Sequence, residues 1–166
     1  MYIHPVKSKR NNQAGFTLVE TLVALVVLTM ALVPLLQLSS AATKSSEVVR
    51  DNLIAAGLAQ EGVEVIHAIR DTNWFNARAF DANLAAGTYQ VEWNSTLPLS
   101  LGGNPFINLN NGLYTYSGGV ATKFHRNITI SKINAGELKV SSIVTWQSQT
   151  QASHSLTAED HLFNWK

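Results

Sequence analysis

Few residues of this chain are of types and spacings that could do chemistry. Glu61 and Glu64 stand three apart, so on a helix they share one face, as paired acid–base carboxylates or two metal ligands would. No His or Asp at metal-ligand spacing completes a set with them. His67 reads as a surface hydrogen-bonding residue, and the two glutamates as a solvated helix face. His125, His154 and His161 are scattered over strand-like segments and the tail, and read as surface or edge histidines. There is no Gly-x-Ser-x-Gly elbow, no phosphate-binding Gly-Lys-Ser or Gly-Lys-Thr loop and no His-Glu-x-x-His helix. Asn94-Ser95-Thr96 and Asn127-Ile128-Thr129 match the N-glycosylation triplet, which arises often by chance and carries no weight. The expectation is a chain with no catalytic residue, no metal and no cofactor, and therefore not an enzyme.

One carboxylate stands apart. Glu20 is the single charge among the 23 residues from Phe16 to Leu38. At about 1.5 Å per residue that run is long enough to cross about 30 Å of hydrocarbon. A carboxylate near a helix end in lipid costs about 2–3 kcal/mol unless it is paired. A cleaved secretory signal would have a shorter, uncharged core before a small-residue site; Ser39-Ser40-Ala41 offers such a site, but the long core and Glu20 argue against it. In the first helical turn Glu20 would suit the positive end of the helix dipole.

Gly15-Phe16-Thr17-Leu18-Val19-Glu20, behind a basic segment with Lys7, Lys9 and Arg10, resembles the type III signal of type IV prepilins and pseudopilins. The resemblance implies that a prepilin peptidase cuts between Gly15 and Phe16 on the cytoplasmic side and N-methylates Phe16. Glu20 is then the fifth residue after the cut, where its carboxylate would neutralise the new charged amine on Phe16 of its own or a neighbouring helix; in a bundle such a pair selects the register in which the two meet. It further implies other pilin subunits, a pilus assembly platform protein and an assembly ATPase as partners. Val19-Glu20-Thr21-Leu22-Val23-Ala24-Leu25 is similar to the minor pilin and minor pseudopilin branch, most closely to minor pilins of the PilV-like kind. The segments from Leu58 to Glu64 and from Ile69 to Trp74, Thr145-Trp146 and Leu162-Phe163-Asn164-Trp165 also resemble minor-pilin-like chains.

These residues need elements to carry them. Residues 1–15 read as the cleaved leader, 16–38 as the membrane and assembly half of a helix, 39–70 as its amphipathic half and 71–166 as a β-rich head. Pro34 lies inside the apolar run, removes the hydrogen bond to the Met30 carbonyl, and is expected to kink or loosen the helix. Beyond it Val49, Leu53, Ala56, Gln60, Val63, Ile66 and Ile69 recur at helical spacing as one face, polar only at Gln60. Ala55, Ala59 and Gly62 would let a sheet or helix approach closely. Asp71 to Gly87 reads as a loop or short helix. Period-two alternation then marks strands at Tyr89, Val91 and Trp93, at 123–133, and at 137–147, where Leu138, Val140, Ser142, Val144 and Trp146 share a face. Shorter strands are expected at 113–117 and 153–157. The predicted fold is α+β, a long N-terminal helix packed against an antiparallel sheet of three to five strands, pilin-like.

Composition sets the remaining bounds. With no Cys the head has no disulfide, unlike many pilin heads, and another device must hold it together. The formal charge of +1 includes the leader; without Lys7, Lys9 and Arg10, nine basic residues face eleven acidic ones, a net −2. No broad cationic field remains, so nucleic-acid binding is not indicated. The leader's charges are expected to hold the N-terminus in the cytoplasm and leave everything after Leu38 outside the cytoplasmic membrane; the resemblance implies that the chain later enters an extracellular filament. The function expected is a structural subunit, a minor pilin, of a type IV pilus or related filament. The alternatives are a minor pseudopilin of type II secretion and a membrane-anchored surface binding domain that never polymerises.

Overall fold

The computed structural model describes residues 15–100, 102–148 and 151–165. Its one helix, α1 (Leu18–Phe75), is followed by eight strands: β1 (Gly87–Gln90), β2 (Leu99–Ser100), β3 (Asn108–Asn110), β4 (Leu113–Thr115), β5 (Val120–Ala121), β6 (Phe124–Asn134), β7 (Glu137–Gln147) and β8 (Ser153–Phe163). The chain divides into two units between Ser45 and Ser46.

In the first unit every described residue of α1 is exposed. Leu22, Leu25, Leu28, Leu32 and Leu35 have about half or more of their surface open, although an 18-residue window here has a mean hydropathy of 2.4. Length and composition suffice to cross a membrane, and the apolar surface finds no cover within the fold.

In the second unit the remainder of α1 lies on one face of a five-stranded antiparallel sheet of order β2-β1-β6-β7-β8, so the α+β architecture is as the sequence predicts. A separate three-stranded sheet, β4-β3-β5, takes in the strand expected at 113–117, which ends at Thr115; β3 and β5 are not among the strands the sequence predicts. Alternation along β7 is complete: Leu138, Val140, Ser142, Val144 and Trp146 are buried while their neighbours are half-exposed. The facing residues of β6 are Phe124, Arg126, Ile128 and Ile130. Two apolar clusters result. Val65, Ile66 and Ile69 pack with Phe80, Leu84, Val91, Ile130, Leu138 and Leu162, and Ala55, Leu58 and Ala59 with Ile107, Phe124, Val144 and Trp146.

The helix meets the sheet most closely at Gly62. A Cβ there would stand 2.5 Å from both Ile128 Cδ1 and Ser142 Oγ, so glycine sets the approach distance. Val63, Ile66 and Ile69 face the sheet as expected, whereas Val49, Leu53, Ala56 and Gln60 are exposed. The buried stripe instead begins at Asp51 and Ala55. Asp51 enters the core because Lys123 Nζ meets its Oδ2 at 2.5 Å, answering a charge that burial would otherwise penalise.

Other differences have local causes. The helix runs past Arg70 to Phe75, where Arg78 N–H donates to Asn73 O at 2.8 Å and Ala77 N–H to Trp74 O at 3.1 Å. This is a Schellman ending with Ala77 in the left-handed region, φ 54°, where glycine is usual. Buried Asn73 then holds the next turn by donating to Ala82 O at 2.7 Å and Phe80 O at 3.3 Å. The strand expected through Trp93 stops at Gln90; Val91 is buried, but Trp93 is 54% exposed. β8 continues to Phe163, well beyond Thr157, with Leu162 buried in the core.

Candidate functional site

At the start of α1, Gly15, Phe16 and Thr17 precede the first helical residue, Leu18, so the helix opens two residues later than the sequence predicts. Thr17 is its N-cap: Glu20 N–H donates to Thr17 Oγ1 at 3.3 Å, and Thr21 N–H to Thr17 O at 3.2 Å. Thr17-Leu18-Val19-Glu20 has the spacing of a capping box, a signal present in the sequence that the reading of Glu20 as a membrane charge passed over. The next hydroxyls turn inward. Thr21 Oγ1 donates to Leu18 O and Thr29 Oγ1 to Val26 O, so neither competes for an external partner.

The Glu20 carboxylate is exposed and accepts no hydrogen bond among the described residues. Phe16 is 80% exposed. A Cβ added at Gly15 would meet nothing within 4 Å, so the fold itself does not require glycine there. Pro34 lies within α1, which continues on both sides of it. Lys7, Lys9 and Arg10 of the leader lie outside the described residues. Gly15, Phe16 and the Glu20 carboxylate thus sit together at one exposed helix end, without a side-chain partner among the described residues, and Pro34 lies about four turns further along.

The other residues singled out as chemically capable are dispersed and engaged. Glu61 is not a solvated helix residue: its Oε1 accepts from Arg126 Nη1 at 3.0 Å. Arg126 is only 1% exposed and also donates to Leu58 O at 2.8 Å and, through Nη2, to Val91 O. This cation fastens helix, sheet and the chain after β1 to one another, and with no cysteine it is one of the devices holding the head together. Tyr116 Oη donates to the Arg126 carbonyl at 3.1 Å; burial pushes its phenol above the ordinary value, against the lowering effect of the Arg126 guanidinium. Glu92 joins the same region by accepting from Thr115 Oγ1 at 2.9 Å and from Tyr116 N–H.

Glu64 accepts from Gln60 at 3.1 Å, and His67 pairs with Asp160 at 2.8 Å. His161 pairs with Glu137 at 2.6 Å, His125 Nδ1 lies 2.8 Å from Asn104 O, and His154 stacks on Trp146. Glu159 is held below the ordinary carboxylate value, first by its bond with Lys139 and then by Ser141. Among the described residues no three of His, Cys, Asp and Glu converge as a metal site. A cleft of about 630 Å³ where β6 begins and β7 ends is lined by Phe106, Lys123, His125, Thr145, Trp146 and Gln147, and holds none of the paired carboxylates.

Comparison with known proteins leads back to the helix end. Residues 10–36 match the model of the prokaryotic N-terminal methylation motif, a stretch that contains Gly15, Phe16, Glu20 and Pro34. This supports a type IV pilin-like signal on a chain with a membrane-competent helix. No curated protein and no solved structure matches the chain.

Proposed function

We propose that this chain is a minor subunit of a type IV pilus or related filament. The observation that carries the proposal is the methylation motif over residues 10–36, set on a helix whose apolar surface has no cover of its own. A prepilin peptidase cuts between Gly15 and Phe16 and methylates the new amine. Gly15 has no steric neighbours in the fold, which is consistent with a backbone that an enzyme must approach.

The helix from Phe16 anchors the chain in the cytoplasmic membrane with its N-terminus inside, and on assembly exchanges lipid for neighbouring helices. The carboxylate of Glu20 is answered by the Phe16 amine of its own or an adjacent subunit, which fixes the axial step. The head forms or caps the outer surface, and a platform protein and an ATPase drive assembly. The chain acts as a structural part and not as a catalyst. Similarity of 19–25 to the minor branch favours a PilV-like minor pilin, with a minor pseudopilin of type II secretion as the alternative.

The test is the mass and N-terminal sequence of the chain expressed with and without a prepilin peptidase. The expected product is peptidase-dependent and begins at methylated Phe16. An uncut chain, or one beginning near Ala42, overturns the proposal. Glu20→Ala separates a filament subunit from a non-polymerising anchor. Loss of filament incorporation with membrane display intact supports the first, and unchanged incorporation removes the register role.

A further inference from the structure

β8 closes one side of the five-stranded sheet, and among the described residues no strand pairs with its other side. In an antiparallel pair, residues whose N–H and C=O face the partner alternate with residues whose N–H and C=O face away. Two bonds at the ends of the β7–β8 pair fix which are which. Ser148 N–H donates to Ala152 O at 3.0 Å, and Asn164 N–H donates to Gly136 O at 2.8 Å. With Gln147 opposite Ser153 and Glu137 opposite Phe163, the bonded pairs fall on the even-numbered residues of β8. Ser153, Ser155, Thr157, Glu159, His161 and Phe163 therefore turn their N–H and C=O groups to the open side.

His161 confirms the parity independently. Its N–H donates to Asp160 Oδ1 at 2.7 Å, as suits an amide that β7 does not use. Asp160 Oδ2 is tied to His67 on the helix, so this cap is anchored. The open row consequently runs from Ser153 to Glu159 and is closed at His161. β8 has no Pro, Gly or Lys and keeps eleven register partners on β7 without a bulge, and Glu159, the one acidic residue of the open row, is paired with Lys139, so the usual devices that blunt an edge are missing from Ser153 to Ala158. Leu156 and Ala158, on the helix side of the strand, are half-buried against the cluster of Ala55, Leu58 and Trp146; Ser155 and Thr157 point to the opposite face.

We propose that residues 153–159 of β8 dock an extended segment of another polypeptide, which adds to the sheet as a sixth strand. The segment alternates, with small apolar residues beside Leu156 and Ala158 and hydroxyl or amide residues beside Ser155 and Thr157. The area favours this occupant over a second copy of the chain. An eleven-residue strand is about 36 Å long, so edge-to-edge contact of two folded heads buries about 350 Å² on each, under half the roughly 800 Å² of a stable interface. Strand addition draws its affinity from main-chain hydrogen bonds and needs no broad face. The inference stands apart from the filament reading, since it rests on the head alone.

The test uses the full chain in detergent micelles, a synthetic peptide of alternating Thr and Val flanked by Lys, and residue-resolved amide hydrogen exchange. Without peptide, the amides of Ser155, Thr157 and Glu159 should exchange about tenfold or more faster than those of Leu156 and Ala158. Peptide at about 1 mM should slow those three by about tenfold and leave His161 unchanged. Thr157→Pro removes an outward N–H and no bond to β7, so it should abolish the protection while Thr157→Ala keeps it. A peptide N-methylated on every residue has no edge free to pair and should protect nothing, which tests the proposal even if the proline variant does not fold. Equal exchange of odd and even amides, no protection, or protection that survives N-methylation would overturn it. Concentration-dependent self-association that slows the same amides would hand the edge to a second copy and overturn the occupant proposed.

Discussion

Replacing Gly62 by alanine sets two effects of opposite sign against each other at one position. In a helix interior alanine is better than glycine by about 1 kcal/mol, because it loses less backbone freedom on folding. At Gly62 the new Cβ would lie 2.5 Å from Ile128 Cδ1 and 2.5 Å from Ser142 Oγ, with Arg126 Cδ at 3.3 Å. Ordinary contact requires about 3.5–4.0 Å, so the helix or the sheet must yield by about 1 Å. Ile128 and Ser142 are fully buried and Arg126 is fixed by three hydrogen bonds, so none of them has room to swing aside. Overpacking of this kind costs about 1–3 kcal/mol, which exceeds the propensity gain and leaves Gly62→Ala less stable by about 1 kcal/mol. Gly57 provides the internal control: it is in the same helix, exposed, with nothing within 4 Å of its built Cβ. Gly57→Ala should gain up to about 1 kcal/mol. Thermal unfolding of both variants, followed by near-ultraviolet circular dichroism of the head tryptophans, should move in opposite directions by about 3–5 °C each. A Gly62→Ala midpoint at or above that of the parent chain would refute the claim that this glycine sets the helix–sheet distance.

Ala77→Gly relieves a left-handed alanine at the helix ending and should raise stability by about 0.5–1 kcal/mol in the same assay. Arg126→Met leaves the Glu61 carboxylate and the Leu58 and Val91 carbonyls without their donor. The expected loss is about 2–3 kcal/mol, and adding Glu61→Gln should recover part of it. The raised pKa of Tyr116 means the folded head holds its proton longer than the unfolded chain does. That contribution is complete below about pH 10 and is lost as pH rises through the folded pKa, so stability should fall at alkaline pH and the fall should be shallower in Tyr116→Phe. For Glu159 the sign is reversed. Its depressed pKa contributes above about pH 4.5 and is lost on acidification, and Glu159→Gln should remove that part of the acid dependence of the unfolding midpoint.

The sequence was most readable where one pattern had one meaning. β7 was legible to the residue because every second side chain from Leu138 to Trp146 is buried, and a period of two admits no other register. The helix face was harder: around Val49 and Leu53 two stripes were available, and the one used contains a carboxylate, Asp51, whose burial depends on Lys123 72 residues away. The sequence pattern ends β8 too early because Glu159, Asp160 and His161 look like the end of a strand, although an edge strand tolerates charges on its wet side. The helix ending was hidden because Ala77 holds a place where glycine would have announced it. At the candidate site the order reversed: Gly15, Phe16 and the charge of Glu20 were conspicuous in the sequence because no described residue packs on or pairs with them.

The placement of Leu162 governs when the head can close. Ile66 and Ile69, made early, pack in a cluster whose other members include Ile128, Leu138, Val140 and, last of all, Leu162. Phe80, Leu84 and Val91 follow them closely, but the sheet side of their cover comes from about 60 to 100 positions later in the chain, a separation that makes folding slow relative to local helix formation. Until the segment through Leu162 has been synthesised, these isoleucines lack their complete cover and are available for wrong associations. Timing, as much as sequence, thus decides whether the head closes on its own strand or on someone else's.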